Sequence, residues 1–286
     1  MNRRTSMAIV LLAGFILAAP SSVAAAASRP NPVHALKARF EPGRGVQLSE
    51  VSRTVTGGES VWRTRMHGTL RFGRSGPLAV EFTRGEIAEK GEEPSPSELP
   101  HIDKYIIDGS RYYDSADNFL GTIPDGKTWV HRKGSFILAY FSHQPFDVFN
   151  PAVISVLLKN RTPTRVPTGY LYRGTTPSSP LDKATRDSTR GTDQMPFDLP
   201  GGGPDISWRL WTDLNGLPQR LMTSFTVGAG KYAITGIADT RYSGWGSPVD
   251  ISAPPTDQVI EEADVPADVL RNLSYTEPPV SVAPAR

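Results

Sequence analysis

Residues 61–72 read Val61-Trp62-Arg63-Thr64-Arg65-Met66-His67-Gly68-Thr69-Leu70-Arg71-Phe72. Trp62, Met66, Leu70 and Phe72 fall on one side of an extended chain, and Arg63, Arg65, His67 and Arg71 on the other. A period of two marks a β-strand with one buried face and one wetted face. Leu78, Val80 and Phe82 repeat the pattern in 78–82. Gly57-Gly58 before the first stretch, and Gly73, Gly76 and Pro77 after it, are turn residues, so the chain doubles back at short intervals.

Working outward, 46–56 leads into this hairpin. Asp108-Gly109 joins Tyr105, Ile106 and Ile107 to Arg111, Tyr112 and Tyr113, a hairpin signal. Segments 127–131, 136–141 and 170–175 read as extended. Segments 206–212, 219–227 and 231–238 form a meander with turns at 213–216 and 228–230, and 249–251 adds a short strand. Asn150 as N-cap and Pro151 at the first position predict a helix over 152–159, carrying Val153, Ile154, Val156, Leu157 and Leu158. A short helix near 181–186 interrupts an otherwise Pro-, Gly- and Ser-rich excursion over 176–205. The expected class is α+β, with about ten strands, mostly antiparallel, and one or two helices. A sheet that long must curl or close.

Residues 1–27 carry Arg3 and Arg4, an apolar run from Ala8 to Ala19, and a small-residue stretch ending in Ala25-Ala26-Ala27. They read as a signal peptide cut near Ala27, placing the chain in the secreted or cell-envelope space, with no stable membrane anchor. The expected organisation is 1–27 leader, 28–45 polar lead-in, 46–262 folded domain and 263–286 a Pro- and Ala-rich tail. Without the leader the formal charge falls from +2 to zero, so a nucleic-acid partner is not indicated. With no cysteine there is no disulfide, thiolate metal site or thioether lipid.

Catalytic signals fall away when read in context. Gly121 to Thr128 matches the phosphate-loop pattern, but no helix pattern follows it, and a turn entering a strand is the simpler reading. The five histidines, His34, His67, His101, His131 and His143, show no metal-ligand spacing. Asp213-Leu214-Asn215-Gly216 lacks the later oxygens of a calcium loop and reads as a hairpin turn. Asn160 and Asn272 head glycosylation sequons. No catalytic residue, cofactor or metal is assigned.

Residues 105–113 and 123–130, the helix at 150–159, and segments 170–175, 208–220 and 246–255 resemble, in this order, the LppX/LprG-type envelope lipid-binding proteins, which share the fold of the LolA and LolB carriers. The resemblance spans 46–260. It implies a curled antiparallel β half-barrel whose concave face, backed by helices, encloses an apolar cavity for acylated ligands. Unlike typical members, this chain has no lipobox cysteine.

The expected function is therefore non-enzymatic: a carrier or sensor of a lipid or other apolar small molecule, with envelope proteins as further partners. The expected lining is Trp62, Met66, Leu70, Val80, Phe82, Val153, Leu157, Trp208, Leu210, Phe225 and Ile234. Trp211 and Tyr232 share the aromatic strand spacing, which suits either core or the lining of an apolar cavity. Two rivals are an interaction or scaffold module with a filled core working through its loops, and a secreted hydrolase whose site assembles only in space.

Overall fold

The computed structural model describes residues 29–87, 102–108, 111–120, 122–132, 141–188, 203–266 and 269–271. The leader, the loop 90–100, most of the extended segment 136–141, much of the 176–205 excursion and the far tail with Asn272 lie outside the described residues.

The described residues hold fourteen strands, twelve of them in one sheet. In chain order these are β1 (Arg44–Thr56), β2 (Glu59–Phe72), β3 (Pro77–Glu86), β4 (Ile102–Asp108), β5 (Arg111–Ser115), β6 (Phe119–Leu120), β7 (Trp129–Arg132), β8 (Thr164–Val166), β9 (Gly169–Pro177), β10 (Asp205–Thr212), β11 (Pro218–Val227), β12 (Ile234–Pro248), β13 (Val259–Glu261) and β14 (Leu270–Arg271). The order across the sheet is β13-β7-β5-β4-β3-β2-β1-β12-β11-β10-β9-β8, with β6 and β14 in a separate two-stranded ladder. Every ladder is antiparallel except β13 on β7. The expectation of about ten strands was low because two- and three-residue edge strands leave no periodicity to read.

Among the described residues three helices, rather than one or two, back the sheet: α1 (Pro32–Lys37), α2 (Pro151–Leu158) and α3 (Ser178–Ser188). Asn150 caps α2 as expected, its side chain accepting from the Ala152 N–H. Asn160, just past α2, takes the left-handed φ of 58° that Asn tolerates. The polar lead-in is corrected. Asn31 caps α1 in the same way, and Leu36 and Phe40 are buried in the core. Residues 249–251 form no strand but an extended strap, and β14 draws part of the expected tail into the fold.

Inward side chains from β5 (Tyr112) to β9 (Tyr172) belong to one hydrophobic cluster with all three helices. Nine flat strands would span about 40 Å. A single helix layer can serve them all because the sheet curls around it as an α+β half-barrel. Gly68 sits mid-sheet on the inward side, where a Cβ would lie 2.9 Å from both Leu48 Cδ1 and Phe82 Cβ. Its bare backbone lets β1 and β3 side chains close over β2. Among the described residues no helix is long and apolar enough to cross a membrane.

Candidate functional site

Strand register assembles the concave wall in rows. One row runs Val80–Leu70–Val46 and another Phe82–Gly68–Leu48–Tyr242. A third runs Arg84–Met66–Glu50–Thr240–Leu221–Leu210–Tyr172, and a fourth Thr64–Ser52–Ala238–Thr223–Trp208. The wall is apolar at one end and carries a polar seam through its middle.

Eight of the expected lining residues, Met66, Leu70, Val80, Phe82, Val153, Leu157, Trp208 and Leu210, lie together in the inner cluster, each at most 4% exposed. Phe225 is half-buried against that cluster. Trp62 is also half-buried and packs edge-on to His143, ring centroids 5.4 Å apart. Ile234 is corrected: it has the inward register but is 43% exposed, because β12 begins there, beyond the cover. Trp211 turns out to face outward beneath the Arg220 guanidinium, and Tyr232 is 74% exposed.

The interior does not stand open against these residues. Residues 142–149 are neither helix nor strand, and the stretch 141–149 inserts Phe141, Phe146, Val148 and Phe149 into the same cluster. A cavity of about 20 Å³ remains between this segment and β12, lined by Ser142, Gln144, Asp147, Thr240 and Tyr242 among others. That is room for one water, far below the ~300 Å³ of a ligand site. A larger hollow of about 290 Å³ opens on the other side of the sheet, beneath the 248–251 strap, and is lined by Gln47, Thr69 and Glu81.

The segment is fastened to the sheet through side chains. Glu50, 1% exposed, accepts on Oε2 from Ser142 Oγ and from Thr240 Oγ1 at 2.7 Å. On Oε1 it accepts from the His143 backbone N–H at 2.8 Å and faces His143 Nδ1 at 3.2 Å. Gln144 Nε2 donates to Thr240 Oγ1 at 2.7 Å and to the Leu221 carbonyl at 3.2 Å, and its Oε1 accepts from Thr223. Arg84 Nη2 donates to the Phe141 carbonyl at 2.5 Å.

Burial alone would push the Glu50 carboxyl up, but the hydrogen bonds and charge of His143, with Ser142 and Thr240, outweigh it and bring it down to about 2. Burial holds His143 below its ordinary value, and Arg84 adds to this. Burial lifts Asp147 to about 6 against one backbone hydrogen bond from Phe149. Ser142 and His143 both direct their hydrogen bonds at Glu50, so they do not form a nucleophile–base pair with each other. Among the described residues, no three His, Asp or Glu side chains converge as metal ligands.

Glu50, Arg84, His143 and Asp147 were absent from the expected site. A signal existed for two of them: Glu50 and Arg84 occupy inward positions of strands whose inward neighbours are Val46, Leu48, Val80 and Phe82. His143 and Asp147 sit in irregular chain, where no period marks a face.

No family model and no curated protein matches the chain. Among solved structures, it is similar to a LolA superfamily protein from Nitrosomonas europaea, at 10% identity over 78% of this chain and 93% of that one, with a TM-score of 0.26. At that score the likeness carries no weight, and the fold assignment rests on the strand ladders and the shared core.

Proposed function

We propose that the protein is a non-enzymatic, extracytoplasmic carrier or sensor of an apolar, acylated ligand, of the LppX/LprG type, and that the conformation described is its closed form. The guest takes the place that residues 141–149 hold on the concave wall. One observation carries this reading: four large apolar side chains of that segment fill the wall, yet among the described residues no backbone ladder binds the segment to the sheet. Its attachments are side-chain hydrogen bonds, which exchange more readily than a ladder.

The energetics are close to balanced. Exposing Phe141, Phe146, Val148 and Phe149 costs about 2 kcal/mol each, or roughly 8 kcal/mol together. A 16-carbon chain returns on the order of 10 kcal/mol before ordering costs, and an 8-carbon chain about half that. Uptake of a fluorescent fatty-acid probe should therefore rise steeply between these lengths, with lipid retained in native mass spectra. Because the sequence has no cysteine, a single label introduced at Pro145 would report outward movement of the segment on uptake. No saturable uptake at any chain length sinks the proposal.

The ~20 Å³ void and the near-zero exposure of Leu70, Val80 and Leu210 favour a second reading, an interaction module with a permanently filled core. In that case the label at Pro145 stays immobile and no probe enters.

A further inference from the structure

Arg84 is 5% exposed on the inward side of β3, directly beside Met66 and two positions along from Phe82. Its guanidinium makes one hydrogen bond, from Nη2 to the Phe141 carbonyl, and lies 5.4 Å from the Phe82 ring centroid. Nε has no acceptor. Among the described side chains no carboxylate comes within ion-pair distance of it; that of Asp103, its register partner on β4, lies outside them. Glu50, in the same row across Met66, is already occupied by Ser142, Thr240 and His143. Arg132 on β7 shows the contrast: its charge is met by Asp114 at 3.6 Å and Glu262 at 3.0 Å. A buried cation without a counter-ion is costly, and an orphaned donor beside it adds to the cost. Moreover, its one acceptor belongs to the segment that a guest would displace.

We propose that Arg84 is the head-group site, and that the ligand is an anionic amphiphile. A carboxylate or phosphate seats on the guanidinium in the place of the Phe141 carbonyl, and the acyl chain runs over Met66, Phe82, Leu70 and Val80. The geometry suits Arg, whose fork offers two parallel N–H donors to an oxyanion. This rests on the reading that an apolar guest replaces residues 141–149.

The test compares three probes of equal 16-carbon chain: palmitate, 1-palmitoyl lysophosphatidic acid and monopalmitoyl glycerol. The purified protein should bind the two anions at least tenfold more tightly than the neutral glyceride, and their ratio tells carboxylate from phosphate. Arg84→Met should abolish the preference for the anions over the glyceride, and Arg84→Lys should keep part of it. Should Arg84→Met fail to fold, the wild type decides alone. The carboxyl of bound ¹³C-labelled palmitate, followed by NMR, should titrate below about 4, lower than an ordinary carboxylic acid. Equal uptake of charged and neutral probes, or a bound carboxyl that titrates normally, overturns the head-group site and leaves the carrier reading intact. No uptake of any of the three overturns both.

Discussion

The two faces of the sheet are each covered by irregular chain, and the covers are built differently. Outside, Ile251 packs with Ala79, Ile106 and Tyr113, and the strap around it is tied by main chain. The Val249 N–H donates to the Gly43 carbonyl at 3.0 Å, the Thr128 N–H to the Gln258 carbonyl at 2.9 Å, and β13 pairs with β7 in register. Inside, residues 141–149 hold on through Glu50, Gln144, Thr223, Thr240 and Arg84. Main-chain pairing fixes a register and is lost only by unfolding. Side-chain pairing to buried charges is conditional, because protonation, mutation or a competing ligand can replace each partner. The outer strap thus behaves as part of the fold, and the inner segment as an occupant of it.

The largest effect should come from cutting the inner attachment at its centre. Glu50→Ala leaves the Ser142 and Thr240 hydroxyls and the His143 N–H without their acceptor, so stability should fall by about 3 kcal/mol in urea unfolding. An unchanged midpoint would mean that the seam does not hold the segment and that the contrast between the covers is empty. Next is the outer cover. Ile251→Ala removes a buried side chain of the small cluster and should cost about 2 kcal/mol, leaving acyl-probe uptake at the wild-type level. If uptake changed as much as stability, the two covers would be coupled rather than separate.

How far the sequence discloses this arrangement depends on the kind of residue asked. The hairpins about 57–58, 73–76 and 213–216 and the Asn150-Pro151 helix start were legible because turn and cap chemistry is local. So was the inward set Met66, Leu70, Val80, Phe82, Trp208 and Leu210, because alternation fixes a face. The order of the strands was not: β1 pairs with β12 across nearly two hundred residues, and nothing local announces it. Nor was the filling of the concavity. Phe141, Phe146, Val148 and Phe149 lie in a stretch without a period, so their burial follows from tertiary contacts alone. α1 left only a faint trace, because a helix of six residues gives too short a pattern to stand out from the polar lead-in.

A smaller effect, of opposite sign, sharpens the account of the inner cover. Asp147 is held near 6, above its ordinary 3.8, so in the folded state it keeps a proton that the unfolded chain has already lost. Stability attributable to Asp147 is therefore intact below pH 4 and falls as pH rises toward 6. Glu50 runs the other way: its depressed carboxyl contributes above its ordinary 4.5, and that contribution is lost as pH falls. His143, held low, also loses stability on acidification, below about 6.5. Since Glu50 and His143 titrate in both proteins, the difference between wild type and Asp147→Asn isolates Asp147. The variant, which keeps an oxygen for the Phe149 N–H, should gain on the order of 1 kcal/mol at pH 7 and nothing at pH 4. A difference independent of pH would show that Asp147 is wetted, and that the inner cover is looser than its packing implies.

The smallest effect marks where the inner cover ends. Phe225 pairs with Gly236 across the β11–β12 ladder, and a Cβ on Gly236 would come within 2.7 Å of the Phe225 ring, so the ring lies flat over the glycine. Ile234, two residues earlier on the same side, pairs with Val227 and Thr56 and is 43% exposed. Ile234→Ser should therefore change stability by less than about 0.5 kcal/mol, whereas Leu210→Ala, on the same wall under the cover, should cost several. Acyl uptake by Ile234→Ser should match that of the wild type if the guest sits where residues 141–149 sit. A marked loss of uptake at unchanged stability would move the entry of the guest to the β11–β12 end, beyond the segment, and would separate the occupied wall from the binding wall.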